Sequence, residues 1–334
     1  MSAQKSFCLA GWLAMCLAAG LLLVSAKSGA AAEHRVFTDP AQAGIEYELQ
    51  GEYAGDVATD VGPQPFGVQI VALGAGKFRG VGYRGGLPGA GWDKSEKFTA
   101  EGTLEGNKVV FHMPDGPQAV LEKGRITVTE GSTTLAVLQK VHRQSPTLGQ
   151  KPPPGAIVLF DGTSGEHFTP GTMDGPYLTQ GNNSKRKFQS FRIHLEFRTP
   201  FQPFDRGQAR GNSGFYAQGR YEVQILDSFG LEGLDNECGG IYRVAKPAVN
   251  MCFPPLVWQT YDVEFTAAEF KEGKKVKNAR MTVRHNGVVI HENVEIPHAT
   301  VAAILKEGPE PGPIHLQDHG NPVRFRNIWV VETP

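Results

Sequence analysis

The stretch GNSGFYAQGRYEVQILDSFG, residues 211–230, contains a short run of strand-forming residues between glycine-containing turns. Side chains alternate along a strand, so Val223 and Ile225 share one face while Glu222 and Gln224 share the other. The apolar row can be buried in a core, and the polar row beside it is left to face a ligand or solvent. This segment therefore predicts a β-strand with one core face and one polar face.

A second stretch, IHLQDHG at 314–320, has the same division. Ile314 and Leu316 share the apolar face, and the opposite face carries His315, Gln317 and His319. An ordinary solvated face is the alternative, but such a face usually carries Lys, Thr and Ser as well. We interpret the two polar rows as one concave surface for hydroxyl-rich ligands, because Glu, Gln and His supply both hydrogen-bond donors and acceptors.

Short alternating runs bounded by Gly, Pro, Asn and Asp recur along the chain, and no long stretch has the 3.6-residue period of an amphipathic helix. The pattern predicts an all-β protein with a small antiparallel β-domain of unknown role over 33–142. A Pro-rich linker follows at 143–155, since it contains three consecutive prolines. The remaining residues, 156–334, have the strand spacing of a β-sandwich or jelly roll.

Residues 1–32 have the composition of a secretory signal peptide. A lysine near the N-terminus precedes an apolar run over 7–24, and small residues ending in AAA at 30–32 follow. A membrane anchor is the alternative, because the run is nearly long enough to span a bilayer. The small residues favour cleavage, so we expect a secreted or periplasmic protein with no membrane span in the mature chain.

Two cysteines, Cys238 and Cys252, follow the predicted signal peptide. In an oxidising compartment a disulfide between them would close a loop of about 15 residues and stabilise the fold by about 3 kcal/mol. The alternative, a two-cysteine zinc site, lacks a nearby C-x-x-C or H-x-x-x-H pair. We therefore predict a disulfide.

Charge and motifs exclude several classes of protein. The formal net charge is −1, which provides no basic surface for nucleic acid. The sequence has no H-E-x-x-H, G-x-S-x-G or C-x-x-C motif, and GAGKFRG at 74–80 lacks the ending of a phosphate-binding loop. The oligomeric state is left open, and the candidate chemistry is confined to the second half of the chain.

Several motifs of the second half resemble, in order, those of one bacterial family. They are GNSGFYAQGRYEVQILDSFG, CGGIYRVAKPAVN, PPLVWQTYDVEF, RMTVRHNGVVIHENVEI and GPIHLQDHGNPVRFRNIWV. Over about 155–332, but not over 34–142, the chain resembles the domain-of-unknown-function 1080 family, described as 3-keto-disaccharide hydrolases or 3-keto-glucoside 1,2-lyase/3-keto-2-hydroxy-glucal hydratases. The resemblance implies a concanavalin A-like jelly roll, usually exported, that acts on 3-keto-glycosides.

The chemistry implied by this resemblance needs a base near C2, an acid for the departing oxygen and a group that stabilises an enolate. A ketone at C3 acidifies the proton on C2, so that the C1 substituent can leave by elimination; addition of water then completes a net hydrolysis. Glu222 is the first candidate for the base, or alternatively a metal ligand. His319 is a candidate acid, base or ligand, since imidazole titrates near neutral pH. A divalent ion held by these two residues would act as a Lewis acid, although no ligand spacing establishes it.

Other polar residues of the motifs are candidates for substrate binding. Asn212, Gln224 and Gln317 suit recognition of hydroxyl or carbonyl groups, and Arg220 is a candidate to polarise the ketone.

Two further candidates have structural alternatives. Tyr242 is either a platform for a sugar ring or an aromatic residue at the edge of the core. Asp227 either binds substrate or caps the turn at DSFG. The rival function from another class is a non-catalytic carbohydrate-binding protein, because the same sandwich serves lectins as readily as enzymes.

Overall fold

The computed structural model describes residues 35–113 and 116–334. The signal peptide predicted at 1–32 lies outside the described residues. Within the described ranges no helix has both the length and the apolar character needed to cross a membrane.

The first part of the described chain is a closed barrel of eight antiparallel strands. Each strand pairs with the next along the chain, and the barrel closes because the eighth strand pairs with the first. The strands are β1 (Gly51–Val57), β2 (Gln64–Gly74), β3 (Lys77–Arg84), β4 (Phe98–Glu105), β5 (Lys108–His112), β6 (Gln118–Glu122), β7 (Arg125–Glu130) and β8 (Thr133–Val141). A 3-10 turn (Pro40–Gln42) and the short helix α1 (Gly44–Leu49) precede them. The prediction of a small antiparallel β-domain is confirmed.

The second part is a sandwich of two antiparallel sheets. Its strands are β9 (Ile157–Phe160), β10 (Phe168–Thr169), β11 (Met173–Asp174), β12 (Tyr177–Thr179), β13 (Asn182–Phe188), β14 (Ser190–Arg198), β15 (Ser213–Ala217), β16 (Tyr221–Ile225), β17 (Gln259–Thr266), β18 (Glu269–Lys271), β19 (Lys274–Lys277), β20 (Ala279–His285), β21 (Val288–Ile296), β22 (Gly312–Leu316) and β23 (Arg324–Thr333). A 3-10 turn lies at Gly207–Ala209.

The smaller sheet has five strands in the order β10-β13-β22-β15-β16. The larger sheet has the order β11-β12-β23-β14-β17-β20-β21, with β9 paired to β23, and β18 and β19 form a separate hairpin. Neighbours in both sheets are often distant in sequence, as in the pairing of β13 with β22. The predicted all-β architecture, with a jelly-roll sandwich after the smaller domain, is confirmed.

The core of the sandwich lies between the inward faces of the two sheets. From the smaller sheet, Val223 and Ile225 of β16 are fully buried in it, together with Leu316 of β22. The larger sheet contributes Leu195 and Phe197 of β14, which are equally buried. The alternation predicted for β16 and β22 is therefore correct, and the residues between these apolar positions must face away from the core.

The barrel and the sandwich pack against each other over a buried contact. Phe201 and Leu256, from the sandwich part of the chain, belong to the apolar core cluster of the barrel. The backbones of Phe37 and Phe201 exchange two hydrogen bonds of 3.0 and 2.9 Å. As a result, the described residues from 35 onward form one compact unit.

The Pro-rich segment 143–155 runs across the outer face of the larger sheet. The Thr147 hydroxyl donates to Asp262 Oδ2 at 2.7 Å, and the Gly149 backbone N–H donates to Glu196 Oε1 at 2.6 Å. The segment thus connects the barrel to the sandwich and is itself hydrogen-bonded to the sandwich.

The disulfide predicted between Cys238 and Cys252 is not present in this structure, in which both residues are free thiols. The two sulfurs are neighbours in the core, but each has other polar contacts. Cys238 Sγ lies 3.3 Å from the Tyr261 hydroxyl, and Cys252 Sγ donates to the carbonyl oxygen of Leu226 at 3.5 Å. Sequence spacing indicated that the thiols could approach each other, but spacing carries no information on their oxidation state.

Candidate active site

The polar rows of two strands lie on one face of the smaller sheet. In the pairing of β15 with β16, Tyr216 is opposite Glu222 and Gly214 is opposite Gln224. In the pairing of β15 with β22, Tyr216 is also opposite His315. Residues directly opposite each other on neighbouring strands point to the same side of the sheet. The three strands therefore present one continuous polar surface, away from the sandwich core.

The loop over 297–311 covers one side of this polar face. The Thr300 hydroxyl accepts a hydrogen bond of 3.0 Å from the Glu222 backbone N–H. The Tyr216 hydroxyl donates to the Val301 carbonyl at 3.1 Å. Glu222 is only 2% exposed as a result, so its carboxyl group is removed from bulk water.

The 3-10 turn before β15 covers another part of the same face. Gln208 Oε1 accepts hydrogen bonds of 3.1 Å from both Gln224 Nε2 and Asn212 Nδ2. Both side chains are buried. Their amide nitrogens are thus occupied, and their orientation is fixed by a residue that precedes the strand.

Three buried acceptor atoms at this face have no hydrogen-bond partner among the described residues: Glu222 Oε1, Gln224 Oε1 and Asn212 Oδ1. Leaving a buried polar atom without a partner costs about 1–3 kcal/mol, so native proteins rarely do so without a reason. Hydroxyl groups of a bound sugar are suitable donors for such acceptors. The three atoms therefore mark a site prepared for a ligand that donates hydrogen bonds.

Gly214 provides the floor beneath the Glu222 carboxyl group. A Cβ atom at this position would lie 2.3 Å from Glu222 Oε1, far inside van der Waals contact. Only glycine therefore leaves room for the carboxyl group in its observed place.

A Gly214→Ala substitution is expected to displace the Glu222 carboxyl group and to lower kcat by about 100-fold, because a misplacement of about 1 Å can have that effect. Steady-state kinetics on a cleaved glycoside would measure it. Gly308→Ala is the matched control, since the nearest atom to its added Cβ would be Arg220 Nη2 at 4.0 Å. Equal activities of the two variants would contradict the placement of Glu222 at the reacting centre.

Burial determines the protonation of Glu222. Desolvation raises the pKa of its carboxyl group to about 8, and the nearby Tyr216 hydroxyl opposes this only in part. At neutral pH the group is mostly protonated, and the carboxylate formed at higher pH is a much stronger base than an exposed glutamate. A carboxyl group with this pKa is suited to exchange protons with a substrate in either direction.

The side chains of His315 and Tyr216, on the same face as Glu222, are uncharged at neutral pH. Burial lowers the pKa of His315 to about 4, and its Nδ1 lies 2.8 Å from Asn183 Oδ1. Burial and the nearby Glu222 raise the pKa of the Tyr216 hydroxyl above its ordinary value. Glu222 is therefore the group on this face whose charge changes near neutral pH.

Of the predicted site residues, Asn212, Glu222 and Gln224 lie together at this face, as described above. Gln317 joins them, because its Nε2 donates to the Tyr216 hydroxyl at 3.0 Å. Tyr242 is half-buried next to them, with its backbone N–H donating to the Glu222 carbonyl at 3.2 Å. Either role predicted for its ring is compatible with that position.

Arg220 and Asp227 are occupied by structural contacts. The Arg220 guanidinium donates to the carbonyl oxygens of Lys306 and Glu310, both at 2.8 Å, and so holds the loop that covers the polar face. Asp227 forms a buried ion pair of 2.6 Å with Arg210. Its other oxygen accepts from the backbone of the following turn, which is the capping alternative.

His319 lies exposed in the segment after β22. In the described part of the chain, no hydrogen bond or ion pair joins it to Glu222. The strand ends at Leu316, so the alternation that aligned His319 with Gln317 does not continue to it. Gln208 and Thr300, which do contact the polar row, lie outside the strands and had no sequence signal.

A divalent ion held by Glu222 and His319 does not fit these side chains. Among the described residues no group of three or more His, Cys, Asp or Glu side chains is arranged to hold a metal ion. The side chains that contact or flank the Glu222 carboxyl group are amides and hydroxyls, which are weak ligands on their own. No step is therefore derived through a metal.

A loop-covered polar face on a β-sandwich, with a buried carboxyl group and two further buried acceptors that have no partner, is suited to a ligand rich in hydroxyl groups. A family model described as a 3-keto-alpha-glucoside-1,2-lyase-like domain matches residues 155–331, which is more than half of the chain. The chain belongs to this family, as its motifs predicted, and is of the glycoside hydrolase type. The match covers the sandwich and does not include the barrel.

The chain is also similar to solved structures. A protein from Parabacteroides distasonis, provisionally described as a glycosyl hydrolase, is 35% identical with a TM-score of 0.50; the alignment covers 54% of this chain and 85% of that one. A second protein of the same organism and description is 17% identical with a TM-score of 0.39, over 54% of this chain and 95% of its own. No protein with a curated description matches the chain.

Proposed function

We propose that the protein is an exported enzyme that cleaves 3-keto-glycosides by elimination across C1 and C2, followed by addition of water. The observation that carries this proposal is the buried Glu222 carboxyl group, with a pKa raised to about 8, on the same sheet face as two other buried acceptors that have no partner. Family membership supports the 3-keto substrate, because the ketone is what makes the C2 proton removable.

In the proposed first step, the Glu222 carboxylate accepts the proton from C2 and an enolate forms at the C3 ketone. The electrons of the enolate then form the C1–C2 double bond while the C1–O bond breaks. The Glu222 carboxyl group, now protonated, donates its proton to the departing oxygen. A single group can serve as base and then as acid here because its pKa lies near the working pH.

The neighbouring side chains orient the sugar. Gln224 Oε1 and Asn212 Oδ1 accept hydrogen bonds from hydroxyl groups, which satisfies atoms that are otherwise unpaired. The Tyr216 hydroxyl keeps its proton because its pKa is raised, and by donating it to the Val301 carbonyl it holds the covering loop beside the sugar site. Addition of water to the unsaturated ketone returns a 3-keto sugar, and the sum of the two steps is hydrolysis.

The experiment that tests this function is incubation of the purified protein with a 3-keto-glucoside, with chromatography of the products. We expect release of the aglycone, with an unsaturated 3-keto sugar as intermediate. A parallel reaction with a chelator tests the divalent ion: loss of activity there would establish a metal requirement that the donor set does not suggest. Binding of the substrate without cleavage would instead favour the non-catalytic carbohydrate-binding function, which the unpaired acceptors would equally serve.

Export is part of the proposal because residues 1–32 have the pattern of a cleaved signal peptide. N-terminal sequencing of the protein recovered outside the cytoplasm is expected to begin just after Ala32. A chain that retains its initial residues and stays with the membrane would support the anchor alternative.

A further inference from the structure

The barrel contains an apolar cavity that takes no part in the chemistry proposed for the sandwich. Its volume is about 690 Å³, and strands from the whole circumference of the barrel line it. Ligand sites in proteins usually have volumes of about 300–1,000 Å³. The interior of an eight-stranded barrel is either just filled by side chains or holds one small ligand, so the size of the inward-facing residues decides between the two.

One end of the barrel interior is filled by large side chains. Tyr53, Phe78 and Leu121 are almost completely buried there. Leu49 of α1 and Phe201 from the sandwich close the same end. A ligand therefore has no entry from this side.

The other half of the interior has small residues where large ones would be needed to fill it. Ala100, Ala119 and Ala136 line the cavity from β4, β6 and β8, and Gly80 and Gly82 of β3 line it next to the rings of Phe111 and Phe66. These positions alternate with outward-facing ones along their strands, as the pleat requires. The cavity is thus a consequence of the sequence of the inward-facing rows.

The chemistry of the lining changes from the interior to the mouth. The deeper positions are apolar, such as Val68, Ile70 and Leu138, whereas the charged residues that line the cavity are Arg84 and Asp93, both exposed at the mouth. A charged group inside would be costly to desolvate, while a charged or hydroxyl head at the mouth would stay in water. The lining therefore suits a molecule with an apolar chain and one polar end.

Two apolar side chains remain exposed at the same end of the barrel. Val61, in the loop after β1, is 84% exposed, and Phe98 at the start of β4 is 45% exposed. The Arg84 guanidinium lies 4.8 Å from the centre of the Phe98 ring. Exposed apolar residues around a concave opening are typical of a ligand-binding mouth.

We propose that the barrel binds a single-chain amphiphile, with its aliphatic tail in the cavity and its polar head beside Arg84 at the mouth. This site is separate from the polar face of the sandwich, so its ligand binds whether or not the proposed cleavage occurs. The polar head is either an anionic carboxylate or a neutral hydroxyl. Amphiphiles with either head have the same aliphatic tail, which is the part that the cavity binds.

The test is a binding titration of the full mature chain with hexadecanoate and, separately, with 1-hexadecanol, followed by native mass spectrometry. We expect one molecule bound per chain. A preference for hexadecanoate that disappears in Arg84→Gln would identify an anionic head, whereas equal affinities would identify a neutral one. Absence of binding by both compounds would overturn the proposal.

The cavity itself is tested with Ala136→Phe, which places a large ring inside the barrel, and with Val137→Phe, its outward-facing neighbour. Val137 is 40% exposed, so the second variant is the matched control. We expect affinity to fall at least tenfold in Ala136→Phe and to be unchanged in Val137→Phe. If Ala136→Phe does not fold, Ala119→Phe replaces it at a second inward position. Equal affinities of folded inward and outward variants would place the ligand elsewhere and contradict the proposal.

Discussion

Glu222→Gln is expected to lower kcat on a 3-keto-glucoside by about 10²–10⁴-fold, the usual contribution of a general acid–base group. The amide keeps the shape of the side chain and its place above Gly214 but cannot accept the C2 proton. Because burial raises the pKa of Glu222 to about 8, kcat/KM of the wild-type enzyme should rise with pH up to about 8 and then level. The value of kcat/KM rises because the Glu222 carboxylate, the form that accepts the C2 proton, becomes more abundant as the pH rises through the pKa of Glu222.

The control for this prediction is Glu237→Gln, which changes a buried carboxyl group that hydrogen-bonds to the backbone of its own turn. Glu237 accepts hydrogen bonds from the backbone N–H groups of Gly233 and Leu234, a capping role that an amide oxygen can take over. The activity and pH profile of the Glu237→Gln variant should match those of the wild-type enzyme. A Glu222→Gln variant with wild-type kcat would remove Glu222 from the mechanism, and a rate that falls as pH rises toward 8 would make it an acid in the rate-limiting step.

His194→Ala is expected to lower the free energy of unfolding by about 3–5 kcal/mol, the cost of breaking a buried ion pair by removing one partner. The His194 side chain is inaccessible to solvent, and its Nδ1 lies 2.6 Å from Asp262 Oδ1. Its Nε2 lies 3.5 Å from Glu196 Oε1, and its ring stacks on Trp329 with centroids 5.3 Å apart. Removing the imidazole leaves a cavity and two carboxylates that have lost a shared partner.

The decrease in the free energy of unfolding caused by His194→Ala should depend on pH. Burial lowers the pKa of His194, but Asp262 and Glu196 outweigh that effect, and the pKa in the folded protein is raised above 6.5. The folded state therefore holds the proton more tightly than the unfolded state, so this stabilisation is complete below about pH 6.5 and is lost as pH rises through the folded pKa. Urea denaturation should show a larger difference between wild type and His194→Ala at pH 6 than at pH 9.

The control is His167→Ala, which removes an exposed imidazole whose Glu166 partner is 3.6 Å away. A surface pair of this kind contributes about 0–1 kcal/mol, so little change is expected at either pH. A His194→Ala variant as stable as His167→Ala, or a destabilisation that grows with pH, would contradict the charged state inferred for His194.

The strands and the polar face could be predicted because alternation is a local property. Val223 and Glu222 take opposite faces of β16 because of backbone geometry alone, and the same rule placed His315 and Gln317. The rule does not extend to His319, which lies beyond Gln317 in the segment after β22, where it is exposed. Alternation holds only while the backbone stays extended.

Contacts between distant segments could not be predicted. Gln208 and Thr300 reach the polar row from a turn and a long loop, whose paths depend on packing and not on a periodic pattern. The sequence of the barrel shows alternating strands, but closure requires β1 to pair with β8, in which Glu52 lies opposite Val141. No local signal connects residues that far apart.

Arg220 shows that a residue type by itself does not define a role. The sequence makes it a candidate to polarise the substrate ketone, and in the structure its guanidinium donates to carbonyl oxygens of the covering loop. A guanidinium with several donors is as well suited to holding a loop as to binding a ligand. Only the three-dimensional contacts distinguish the two.

The most direct measurement is the fate of a deuterium label at C2 of a 3-keto-glucoside during cleavage in ordinary water. Elimination with Glu222 as base predicts that the deuterium is lost from the sugar product and that its substitution slows the reaction. Reactions without enzyme and with Glu222→Gln correct for spontaneous exchange beside the ketone. Cleavage with the deuterium retained at C2 would mean direct displacement at C1 and would contradict the elimination mechanism.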